Sequence, residues 1–212
     1  MSRKNEIKNS DLIENKPYLT KKELSIILDK KGKNLDKKIS LLLRDQVILS
    51  LKKGLYISKI FYLKNKENIE EYLANIIYYP SYLSKEYVLA KEGVIPESVF
   101  SYTSVTIKAT RFFKNQLGDF SYNKIKENLF TGYYLKNYIE NYKIKIATKA
   151  KALFDYFYFI PFQSAKQIDD LRLNWDNLEA KDIKEFESFV DLSKSLKMEK
   201  IYQLLKKRYD NR

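Results

Sequence analysis

Between Leu19 and Ser58 the apolar positions change period once, from helical to alternating. Leu24, Ile27 and Leu28 recur at helical spacing. Ahead of them Thr20 and Glu23 fit a capping box, in which the Thr hydroxyl accepts the third backbone N–H and the carboxylate reaches back to the cap. The pattern predicts a helix from Lys21 to Asp29. KKGKN follows as a turn, with Gly32 supplying conformational freedom and Asn34 as the cap of a second helix from Leu35 to Gln46. At ~100° per residue this helix gathers Leu35, Ile39, Leu42 and Leu43 on one side. Lys33, Asn34, Lys37, Ser40, Leu41 and Arg44 point the other way. The period then shortens, and VILSLKKGLYIS reads as two strands around Lys52, Lys53 and Gly54. Two helices, a short Gly-containing turn and a hairpin make a winged helix-turn-helix.

Beyond it, residues 67–79 predict a connecting helix with Ile69, Leu73, Ile76 and Ile77 on one face, ended by Pro80. In SYLSKEYVLAKEGVIP a short helix stops at Gly93, and FSYTSVTI opens β-rich sequence. ATRFFK and DFSYNK flank the four-residue loop NQLG as a hairpin, and LFTGYYL and KIKIA supply further strands. ATKAKALFDYFYF returns to helix, with Thr148 as cap and Ala150, Leu153, Phe154 and Phe157 as its buried stripe. Helices are expected near 164–173, 179–192 and 195–209. The fold class is therefore α+β. Residues 1–79 form the winged domain with its connecting helix, and residues 80–212 a mixed α/β domain, β-rich in the middle and helical at the C-terminus.

Charge sharpens the picture. The 212 residues carry a formal +13, with 34 Lys against only six Arg, a bias that an AT-rich genome produces by itself. Its distribution says more: residues 1–66 hold 17 Lys+Arg against 7 Asp+Glu, a net of +10, whereas the rest nets +3. A localised basic region steers polyanions, which suits nucleic acid or an anionic membrane surface. The candidate DNA-binding residues are Lys33, Asn34, Lys37, Ser40, Arg44, Lys52 and Lys53. Lys37 and Arg44 would lie in or beside the major groove, Ser40 would read a base edge or bond a phosphate, and Lys52 and Lys53 would touch the flanking backbone. Against this stands the plainer reading that any surface helix carries lysines and that small winged domains also dock proteins. The 18 Tyr and 12 Phe are spread along the chain and read as core and rim rather than as a base-stacking platform.

Composition also excludes chemistry. With no Cys there is no disulfide framework, thiolate metal cluster or thiol nucleophile; with no His, imidazole catalysis and His-ligated zinc are absent. MSRKNEIKNS leads into no apolar signal region, and no apolar run approaches the ~20 residues that span a bilayer, so a cytoplasmic protein without a membrane partner is expected. The glycines form no dinucleotide loop, and Gly32-Lys33 lacks the earlier Gly of a phosphate-binding loop. Asp119, Glu127, Glu140 and Asp155 are imaginable as a nuclease metal site, but nothing in their spacing singles them out. No catalytic residue, cofactor or metal is assigned.

The order of motifs carries a resemblance. LKKGLYIS, SKEYVLAKEGVIPESVFSYTSVT, TRFFKNQLGDFSYNKI, FTGY and ATKAKALFDYFYF together resemble the AbiEi family of antitoxins from type IV toxin–antitoxin and phage-defence systems, from about Tyr18 to Phe159. The resemblance implies a DNA-binding domain that represses its own operon and a following antitoxin domain, residues 80–212, that neutralises a co-encoded nucleotidyltransferase toxin. It implies no stable complex with that toxin, and no catalytic activity of the antitoxin. Lys37, Ser40, Arg44, Lys52 and Lys53 fall in the matching helix and wing. One departure is the nearly all-lysine face, with Arg44 its only arginine: few bidentate guanine contacts are available, and specificity leans on DNA shape. The competing readings are a stand-alone winged-helix regulator with a ligand-sensing C-terminal domain and a metal-dependent nuclease.

Overall fold

The computed structural model describes residues 11–67, 69–139, 142–162 and 164–211 of a mixed α/β protein. Packing divides them into two compact units. One comprises the residues up to Glu70 together with Phe113–Leu117; the other comprises Glu71–Phe112 and the chain from Gly118 onward. The division falls within a helix, ahead of the expected boundary at residue 79.

In the first unit, helical residues 11–14 are followed by β1 (Leu19–Thr20) and α1 (Lys21–Leu28). The capping box forms: the Glu23 N–H donates to Thr20 Oγ1 at 3.2 Å and the Thr20 N–H to Glu23 Oε2 at 2.9 Å. Asp29 closes α1 in the left-handed region at φ 49°, and Gly32 follows at φ +51°. These two residues reverse the chain within a few positions, the second at no Cβ cost. The next helix, α2 (Gly32–Arg44), consequently starts earlier than expected. The Leu35 N–H already bonds the Lys31 carbonyl at 3.3 Å, so Asn34 lies inside the first turn and is not the cap. The far end is shorter too, because Gln46 turns the chain at φ 55°.

The hairpin of β2 (Ile48–Lys52) and β3 (Leu55–Ser58) forms as expected around Gly54 at φ +78°, with a register shift between Ser50 and Lys52. β1 pairs with the outer side of β3, giving a three-stranded antiparallel sheet in the order β1-β3-β2. Leu24, Leu28, Leu35 and Ile39 meet Ile13, Leu19, Ile48 and Tyr56 in one core, with Ile27, Leu42 and Leu43 packed at its margin. Each fully buried Leu or Ile stabilises by roughly 1.5–3 kcal/mol, which is what holds two short helices on so small a sheet. A brief α3 (Lys59–Lys64), capped by Ser58, follows.

α4 (Ile69–Ile77) leads into the second unit. It was expected to bury one face; instead Glu71, Tyr72, Ala74 and Asn75 are buried along with Ile69, Leu73 and Ile77, so the helix is enclosed on most sides. The strands that follow are β4 (Ser81–Leu83), β5 (Ser101–Thr106), β6 (Arg111–Asn115), whose residues from Phe113 on count with the first unit, β7 (Gly118–Lys124), β8 (Tyr133–Asn137) and β9 (Lys143–Ala147). They form a six-stranded mixed sheet in the order β6-β7-β5-β4-β9-β8. β5 runs parallel to β7 and β4 parallel to β9. Only Gln116 and Leu117 separate β6 from β7, a tighter turn than the four residues expected.

Tyr122 and Tyr82 leave this sheet on opposite faces. On one, Tyr122 Oη donates to the Ala74 carbonyl of α4 at 2.7 Å; on the other, Tyr82 Oη donates to Asp155 of α6 (Lys149–Phe159) at 3.0 Å. α5 (Lys85–Lys91) precedes Gly93 as expected. Beyond α6 come α7 (Lys166–Asp170), shorter than expected because Arg172 turns the chain at φ 47°, then α8 (Ala180–Ser193) and α9 (Leu196–Asp210). Lys197 of α9 caps the end of α6, donating to the carbonyls of Phe157, Tyr158 and Ile160 at 2.8–3.0 Å. Trp175 stands edge-on to Tyr209, their ring centroids 6.5 Å apart. Among the described residues no helix is long and apolar enough to cross a membrane.

Candidate nucleic-acid interface

Helical periodicity decides what α2 shows to its surroundings. Because Leu35 and Ile39 are buried, with Leu42 and Leu43 beside them, the opposite face carries Lys33, Asn34, Lys37, Ser40, Leu41 and Arg44, all exposed. Lys33, Lys37, Ser40, Leu41 and Arg44 line one shallow open depression along the helix, joined there by Asp36. The sequence-predicted helix residues therefore come together on one surface.

The hairpin carries the other two. Lys53 is exposed at the turn. Lys52, half-buried at the end of β2, has its ammonium 5.7 Å from the centroid of the Phe113 ring, within the same compact unit.

The neighbours of these cations matter as much. Asp36 lies within 2.5 Å of the Lys21 ammonium, a pair linking α1 to α2, and that hydrogen bond raises the Lys21 pKa above its ordinary value. Arg44 Nε donates to Asp45 Oδ1 at 2.8 Å, and this bond likewise raises the guanidinium pKa. Ser40 Oγ donates back to the Asp36 carbonyl at 2.9 Å. Two carboxylates thus sit on or beside the basic face, and two of its polar groups already have partners. The Arg44–Asp45 pair was open to notice as sequence neighbours; the Lys21–Asp36 pair depends on how the two helices pack.

The second unit contains a different electrostatic feature. Lys151 and Asp155, one turn apart on α6, form a 2.7 Å ion pair with both side chains at 0% exposure. Asp155 also accepts hydrogen bonds from Ser84 Oγ at 2.7 Å and Tyr82 Oη at 3.0 Å. The Lys151 ammonium lies over the rings of Phe154, Phe189 and Tyr82. Burial pushes the Asp155 carboxyl above its ordinary range and the Lys151 ammonium below its own, each opposed by the other's charge. Nothing in this closed network reaches a surface, so its chemistry is structural.

Of the four imagined nuclease carboxylates, Asp155 is spent in that network and Glu140 lies outside the described residues. Among the described residues no three carboxylates are grouped to hold a metal ion. A hollow of about 380 Å³ by α5, α6 and α7 is lined by Glu86, Glu97 and Asp170 together with Ile95, Val99 and Ile160.

Comparison with known proteins adds no relative: no family model matches the chain, and no curated protein matches it significantly.

Proposed function

We propose that the chain is the antitoxin of a type IV toxin–antitoxin system, a non-enzymatic protein that represses its own operon and counters a co-encoded nucleotidyltransferase toxin. In this reading the first unit is a winged helix-turn-helix, α2 its recognition helix and the β2–β3 hairpin its wing. The observation that carries the DNA-binding part is the exposed basic face of α2 on the same unit as a Lys-Lys-Gly hairpin tip. The antitoxin part rests on the order of motifs that resembles the AbiEi family.

The mechanism is electrostatic positioning followed by groove reading. Lys52 and Lys53 bond backbone phosphates and set the register, while α2 enters the major groove with Lys37 at the centre of its outward face. The partner is duplex operator DNA upstream of the chain's own gene. If Lys33, Lys37, Arg44, Lys52 and Lys53 neutralise about five phosphates, the slope of log affinity against log salt is roughly −4 to −5. Titrating the upstream duplex across salt concentrations tests this; a slope near zero overturns the reading.

The hollow bearing Glu86, Glu97 and Asp170 favours one alternative, a stand-alone regulator that senses a ligand in its second unit. Co-expression with the neighbouring gene, scored by growth, separates the two. Rescue of cells poisoned by a neighbouring nucleotidyltransferase supports the antitoxin, and absence of such a neighbour supports the regulator.

A further inference from the structure

We infer that α2 selects A·T-rich DNA by packing Leu41 on the C5-methyl group of thymine in the major groove, with Asn34 on the adenine edge two turns earlier. This rests on the reading of α2 as the DNA-facing helix and says what that helix reads.

The argument starts from what the face has free to offer. Guanine is best read by a bidentate arginine, but the only arginine here is bonded to Asp45. Ser40 spends its proton on the Asp36 carbonyl. The lysines are mobile point charges suited to phosphates. What remains, in the last turn of the face, is Leu41, 41% exposed and lining the same depression as Lys33, Lys37 and Arg44.

An exposed leucine by itself means little. This one lies along the single face of α2 that the core leaves open, where the only apolar group on a base-pair edge is the thymine methyl. Asn34 is exposed on that face seven positions before Leu41. Seven residues rise about 10.5 Å, roughly three base-pair steps of ~3.4 Å. Asparagine matches the N6 and N7 groups of adenine bidentately. Both side chains thus favour A·T pairs, at positions a few steps apart.

The test uses the full chain and the duplex immediately upstream of its gene, amplified with either thymidine or deoxyuridine triphosphate. The two duplexes share a sequence and differ only in the methyl groups. Burial of one methyl-sized group corresponds to about fourfold in affinity. The wild type is expected to bind the thymine duplex at least that much more tightly, and to prefer it to a G·C-rich duplex of equal length. Leu41→Ala, at an exposed position and with helical circular dichroism unchanged, is expected to bind both upstream duplexes equally and with the wild-type salt slope. Asn34→Ala is expected to lose sensitivity to 7-deazaadenine, which lacks the N7 acceptor; the wild type should lose about tenfold on that substitution.

Equal binding of thymine and uracil duplexes by the wild type, with a steep salt slope, overturns the thymine reading and leaves DNA binding standing. Persistent discrimination by Leu41→Ala overturns the role of Leu41. A flat salt slope overturns the DNA reading and this inference with it.

Discussion

Glu23 shows how one side chain can be placed from sequence and then weighed from structure. Its carboxylate is pushed up by partial burial, but the hydrogen bonds from Lys16 and from the backbone and hydroxyl of Thr20 outweigh this and hold its pKa below the ordinary carboxylate value. A depressed folded-state pKa means the folded protein binds its proton less readily than the unfolded chain. The associated stability is therefore fully present above the unfolded value of 4.5 and is lost as pH falls through the folded one. Thr20→Ala should cost about 1 kcal/mol at neutral pH. Glu23→Gln should also destabilise there, with the difference from wild type shrinking in acid. Urea midpoints at neutral and acid pH check both. The capping box was legible because both of its bonds are local. Asn34 was misread as a cap because the backbone turn at Asp29 and Gly32, which starts α2 early, leaves no mark in the polar pattern.

At the scale of elements, legibility followed the range of the interactions. α1, α2 and the β2–β3 hairpin could be read from periodicity and turn chemistry, and with them the exposure of all the candidate residues on α2. The parallel pairings of β5 with β7 and β4 with β9 join strands that are not consecutive in the chain and announce themselves in no local signal. α6 is the sharpest case: Lys151 and Asp155, at i and i+4, look like a surface pair until Tyr82 of β4 and Ser84, at the start of α5, arrive as buried donors. Because both charges are out of water, Lys151→Met should destabilise by about 3–5 kcal/mol, leaving Asp155 buried without its counter-charge. Adding Asp155→Leu should restore part of that loss. Recovery stays incomplete, since the Tyr82 and Ser84 hydroxyls then lack an acceptor at about 1–3 kcal/mol. Urea denaturation of the two single variants and the double variant gives the coupling directly; additive losses would contradict the pairing.

For the whole molecule the division inside α4 sets where the chain can be cut. A fragment of residues 1–79 carries Tyr72, Leu73, Ala74 and Ile77, which are buried in the second unit, and should aggregate. A fragment ending at Glu67 should stay monomeric by light scattering and bind DNA weakly. One beginning at Glu67 should lose DNA binding while keeping part of any rescue activity, once circular dichroism shows that it is folded. Rescue by the first fragment, with a folded second fragment inert, would argue that repression is the entire antitoxic effect. The pairing of Trp175 with Tyr209 makes such experiments easier than the abundance of aromatic residues suggests. The sequence has a single tryptophan, and it belongs to the second unit. Indole fluorescence therefore reports on that unit alone, whereas far-ultraviolet dichroism sums over both. Two optical melting curves from the uncut protein, with no label attached, tell whether the halves let go together or in turn.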